Sequence, residues 1–151
     1  MNSSLSISIK YGLYTTISLI AYFLILKLFN LHENPWLRLA NGVFMCLGIY
    51  FSIKICKVAA GDNFSYINGA KTGLITGFIA TVIFTLFMAI YMFHLDVAFT
   101  EKLLGDWFAD YEIGANLLLF SVFMEGLAST LVLSLAFMQL FKISNNIPQK
   151  P

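Results

Sequence analysis

The stretch YINGAKTGLITGFIATVIFTLF, residues 66–87, carries glycine at 69, 73 and 77 and threonine at 81 and 85, a small residue at every fourth position of an apolar run. On an α-helix a four-residue step returns to nearly the same face, so these side chains form one narrow stripe. In a water-soluble helix each glycine would cost about 0.8 to 1 kcal/mol relative to alanine. In lipid the balance differs. No hydrophobic force drives helices together there, and close approach depends on small side chains that let backbones touch. The stretch is therefore read as a membrane-spanning helix with a packing seam at Gly73, Gly77, Thr81 and Thr85. Gly69 is placed at the entrance, helping the chain turn into the bilayer. A plainer reading competes, that glycine is simply commoner in membrane helices.

The rest of the chain supports a lipid setting. Of its 151 residues 59% are hydrophobic, 16% aromatic and 11% charged, too apolar for a surface facing water. A helix needs ~20 apolar residues to cross a ~30 Å hydrocarbon layer. Four segments qualify: Tyr11 to Phe29, Leu37 to Ile55, Thr72 to Phe93 and Asn116 to Phe141. The expected fold is an all-α integral membrane four-helix bundle, one transmembrane domain over residues 1–151. The first segment follows Lys10 but exceeds a signal-peptide core and lacks a small-x-small cleavage site, so it is read as retained.

Four spans put both termini on one side. That side holds Lys10, Lys54, Lys57, Lys71, Lys142 and Lys150, and the other holds Lys27, Arg38 and Lys102. The positive-inside rule then places the termini in the cytoplasm. No Lys/Arg-rich run supplies the electrostatic footprint of a nucleic-acid binder, so the expected partners are the lipid bilayer and other membrane subunits or further copies of the chain.

Between the third and fourth spans, VAFTEKLLGDWFADYEIG (97–114) gathers Phe99, Leu103, Leu104, Trp107, Phe108 and Tyr111 on one helical side and five charged residues on the other. A short interfacial helix over about 97–112 is expected, with Trp107, Phe108 and Tyr111 at headgroup depth. It would serve as a connector, or as a docking surface or lid.

Glu125 is the costliest residue within the spans. An ionised carboxylate near mid-bilayer is penalised by about 2.5 to 3.5 kcal/mol on insertion scales, so Glu125 should face protein or water. Ser121 and Ser129 flank it four residues away on either side. This stripe could line a proton or ion path, or a neutral Glu125 could bind neighbouring helices together by hydrogen bonds.

Catalysis finds no support. No Ser or Cys has a suitably placed His, no glycine loop is built for phosphate, and His32, His94, Cys46 and Cys56 fall at different depths, so no catalytic residue, cofactor or metal is expected. Cys46 and Cys56, ten residues apart on one helix, cannot pair with each other. The two halves share no motif and no span is broken by proline, so the inverted-repeat signature of many transporters is missing. Two readings remain: an accessory or structural membrane subunit, and a channel or transporter subunit with Glu125 as a protonatable site.

The segment GDNFSYINGAKTGLITGFIATVIFTLFMAIYMFHLDVAFTEKL (61–103) resembles small four-span bacterial membrane proteins grouped as domain of unknown function 4199. In these an aromatic-containing loop leads into a Gly-x-x-x-Gly third helix, followed by an outward segment and a last span. The resemblance implies this architecture and a bacterial inner membrane. It brings no activity, cofactor or catalytic residue.

Overall fold

The computed structural model describes residues 2–32, 34–96, 100 and 114–141. Four helices are long and apolar enough to cross a membrane: α1 (Asn2–Leu28), α3 (Ala40–Ala60), α4 (Tyr66–Ile90) and α5 (Ala115–Phe141). A one-turn helix, α2 (Pro35–Arg38), precedes α3. Among the described residues there is no strand, and the chain is an all-α four-helix bundle. The expected interfacial helix, with Trp107, Phe108 and Tyr111, lies outside the described residues.

Local chemistry sets the ends. α1 stops where Asn30 takes a left-handed backbone, φ 55°, and Leu31 N–H donates back to the Leu26 carbonyl at 2.8 Å. Asparagine tolerates that conformation better than most residues. Asn34 caps α2 by accepting from Trp36 N–H, with Pro35 at the first helical position, where a missing N–H costs nothing. Gly61, φ 52°, ends α3, and Ser65 caps α4 by accepting from Asn68 N–H at 3.2 Å. At its other end α4 loosens into a π-turn, Tyr91–Leu95, where Asp96 N–H reaches the Tyr91 carbonyl.

Three helices outrun the expected spans at the end where the chain begins, here the near end. α1 starts at Asn2 and α4 at Tyr66, and α3 continues to Ala60. Lys10, Lys54, Lys57 and Lys71, expected in flanks and loops, therefore lie within helices, one to two turns from the near end. Hydropathy records where lipid begins, whereas the backbone keeps its helical bonds past that depth. The long lysine stems let each ammonium reach water. Three of the ammonium groups lie near rings: Lys10 is 5.8 Å from the Tyr14 centroid, Lys54 5.9 Å from Tyr50, and Lys57 5.6 Å from Phe141. Lys57 also donates to the Phe141 carbonyl at 3.4 Å, placing positive charge at the C-terminal end of α5. Gly69 is likewise not at a turn. It is buried in the first turns of α4, where an added Cβ would come within 2.6 Å of the Phe64 ring and 2.9 Å of Met138 Cε.

α3 and α4 pack against each other, and each also packs against α1 and α5. Two adjacent rows on α4 serve different neighbours. Gly69, Gly73, Gly77 and Thr81 face α5, while Thr72, Thr76 and Ala80 face α1 and α3. The second row carries a buried hydroxyl network. Ser52 and Thr76 hydroxyls lie 2.6 Å apart, Ser8 Oγ is 3.3 Å from the Thr72 carbonyl, and Thr72 Oγ1 lies 3.2 Å from Cys56 Sγ. Thr72 and Thr76 also bond the carbonyl one turn back, so the hydroxyls meet their bonding needs within protein. Interhelical hydrogen bonds in membranes average about 0.6 kcal/mol and reach about 1.7. Thr76→Val, which keeps the shape and strands the Ser52 hydroxyl, is expected to cost on the order of 1 kcal/mol in reversible unfolding from mixed micelles.

Candidate functional site

The seam expected on α4 meets α5 in an antiparallel register that steps four residues on each helix. A Cβ added at Gly73 would lie 3.1 Å from Ser134 Cβ, one at Gly77 2.9 Å from Thr130 Cβ, and one at Gly126 3.1 Å from Thr81 Cβ. Glycine changes sides along the contact, lying on α4 at 73 and 77 and on α5 at 126. Each glycine receives a hydroxyl-bearing side chain from the other helix.

Beyond this seam, toward the far end, the four helices border a partly open cavity of about 230 Å³. The side-chain contacts of α3 with α4 and α5 include Ser52 to Thr76, Cys56 to Thr72 and Tyr50 to Phe137, all in its near half. Leu39, just before α3, and Asn41, Gly42 and Met45 in its first turns form cavity wall. Apolar lining predominates, with Phe23, Phe84, Met45, Met88 and Met92 prominent.

The polar part of the wall draws on three helices: Asn41 from α3, Thr81 and Thr85 from α4, Glu125 and Ser129 from α5. Glu125 sits about 15 Å from the far end of α5 at 1.5 Å per residue. Asn41 Oδ1, Thr81 Oγ1 and Thr85 Oγ1 are buried and have no hydrogen-bond partner among the described residues, and Thr81 is only 4% exposed. Several other helical hydroxyls behave differently: Thr15, Thr16, Thr72, Thr76 and Thr130 each bond the carbonyl four residues back, although Ser134 Oγ in the seam is likewise buried without a partner among the described residues. A buried unsatisfied polar group costs about 1 to 3 kcal/mol. Three such atoms on one wall are what a site completed by a bound molecule looks like.

The polar stripe expected on α5 is divided by the structure. Glu125, exposed on its helix, and half-buried Ser129 border the cavity, whereas Ser121 is exposed away from it and donates to the Leu117 carbonyl at 2.9 Å. Thr81 and Thr85 belong to the cavity as well as to the seam row. Asn41, an amide near the start of an apolar span, was the signal that sequence reading passed over.

At the far side of the cavity, its wall residue Phe23 packs on Tyr91 with ring centroids 4.8 Å apart, and on buried His32, also of the wall. Tyr91 donates to Asp96 at 2.8 Å; Lys27 Nζ lies 3.7 Å from the same carboxylate and 4.5 Å from the Tyr91 ring centroid. Thr100 donates to the Met92 carbonyl at 3.0 Å. The pair Lys27 and Asp96 is partly exposed, so Asp96→Asn is expected to cost less than about 1 kcal/mol in thermal unfolding in detergent. Among the described residues no three His, Cys, Asp or Glu side chains are grouped as a metal ion would require.

Compared with protein families, residues 10–143 match the family described as "Protein of unknown function (DUF4199)". No curated protein and no solved structure matches the chain.

Proposed function

Since the chain belongs to the DUF4199 family, whose description assigns no activity, we propose a function from its own geometry: a non-enzymatic membrane subunit that binds, and as part of a channel or transporter passes, a small molecule at Glu125. The observation that carries this reading is the cavity wall, where the exposed carboxylate of Glu125, at membrane depth, lies with three buried polar atoms that have no partner among the described residues. Intramembrane ionisable residues mark substrate and ion pathways more often than they serve packing alone. The near-end lysines favour an orientation with both termini in the cytoplasm, in a bacterial inner membrane.

Gly42 offers a clean test. It lines the cavity, and a Cβ there meets nothing within 4 Å. Gly42→Phe is expected to fill the enclosure while preserving the fold. Small fragments found by saturation-transfer NMR on the protein in nanodiscs should lose their signal in this variant. A fragment set that binds the variant and the original chain equally would remove the reading.

One observation favours a second reading, an accessory subunit held against partners or copies. α5 is the least covered span, with 11% of its most apolar window buried against 28 to 33% for the others. Leu131, Val132, Leu135 and Leu140 face outward. Chemical cross-linking in native membranes through single cysteines at these positions would capture such a neighbour.

A further inference from the structure

We propose that the cavity is a site for a lipophilic organic cation, a small quaternary or protonated amine bearing apolar groups, with Glu125 as its counter-ion. This rests on the reading of the cavity as a binding site and names the ligand class. Three features of the wall converge on it.

The first is charge. Among the described residues no lysine or arginine lines the cavity, and His32 is the only other titratable side chain on its wall. Thr81, Thr85 and Asn41 contribute oxygen atoms whose lone pairs suit a positive guest or its N–H groups. Among the described residues an anion would find a carboxylate and no lysine or arginine to offset it.

The second is the apolar lining. Phe23 and Phe84 present aromatic rings, and Met45, Met88 and Met92 present polarizable thioethers. Ring faces attract cations, most strongly where water is excluded, and aromatic enclosures recognise quaternary ammonium groups on this basis. Thioether side chains adapt to guests of irregular shape. A bare metal ion would gain little from such a lining.

The third is size. An apolar cavity of roughly 150 Å³ accepts benzene, so about 230 Å³ admits one ring plus a compact ammonium group. A simple inorganic cation would leave most of the volume unfilled.

The test uses the full chain in nanodiscs and two probes of matched shape. Benzyltrimethylammonium carries the charge; neopentylbenzene replaces its nitrogen with carbon. Binding is followed by saturation-transfer NMR and by competition. The cation should bind saturably, and Glu125→Gln should weaken it at least about tenfold, since the coupling between close charge pairs is of that size or larger. Glu125→Asp, which keeps the charge, should retain most of the affinity, and neopentylbenzene should be indifferent to either change. Folding of each variant is checked by its thermal transition. If the neutral probe binds tighter than the cation, or Glu125→Gln leaves cation binding unchanged, the cation proposal falls while the binding site stands. If neither probe binds saturably and Gly42→Phe displaces no fragment, the site itself falls.

Discussion

Gly77→Leu is expected to separate α4 from α5 and to lower stability by on the order of 3 kcal/mol, the upper part of the range for overpacked contacts. The position has no slack. The first added carbon already lies 2.9 Å from Thr130 Cβ, and Thr130 is β-branched and tied to the Gly126 carbonyl at 2.7 Å, so its side chain cannot easily turn aside. A leucine would need the whole helix to move, and the register couples that movement to Gly73 with Ser134 and to Gly126 with Thr81. Unfolding from mixed micelles, followed by far-UV circular dichroism, measures the loss. Gly42→Leu is the matched control, because it adds the same side chain to open space and should change stability by less than about 1 kcal/mol. Equal loss from both substitutions would show that leucine harms these helices for reasons unrelated to the seam.

The second large effect has the opposite sign. Glu125→Leu is expected to stabilise the bundle by about 2 kcal/mol, because it removes a carboxylate whose insertion near the bilayer centre costs about that much or more. If Glu125 instead held helices together by a hydrogen bond, its loss would destabilise by roughly 0.6 to 1.7 kcal/mol. The sign of the change therefore decides between the two roles, and the same micelle unfolding experiment reads it. A stabilised variant that no longer retains the cationic probe would be the signature of a residue kept for binding at the expense of stability.

Membrane class and the four spans were legible because lipid selects composition directly, and a helix of the required length leaves an unbroken apolar run. Helix ends were less so, as Lys54, Lys57 and Lys71 show: charge marks where a side chain needs water, and the backbone keeps its own hydrogen bonds beyond that point. The row at Gly73 and Gly77 stands out because few forces reward glycine in a helix. The neighbouring row at Thr72 and Thr76 did not, since threonine in an apolar helix bonds its own backbone as readily as another helix. The cavity could not be read in advance. Its wall takes Asn41, Thr81, Thr85, Glu125 and Ser129 from three helices, and whether helices diverge depends on the summed side-chain volumes of all four. A single carboxylate such as Glu125 is conspicuous in sequence, but its companions are ordinary polar residues until packing brings them together.

The lysines one to two turns inside the near end have a consequence for the membrane this bundle can inhabit. Measured from Lys10 to the end of α1 the apolar length is about 27 Å, close to an ordinary hydrocarbon thickness. Ammonium groups on long stems, seated beside Tyr14, Tyr50 and Phe141, can extend or retract with the headgroups, which lets the near end take up part of a mismatch in bilayer thickness by snorkelling. Among the described residues the far end has one such group, Lys27 over the Tyr91 ring, and it is tied to Asp96. A change in bilayer thickness would therefore be felt there first, beside the aromatic rings that stand over the cavity.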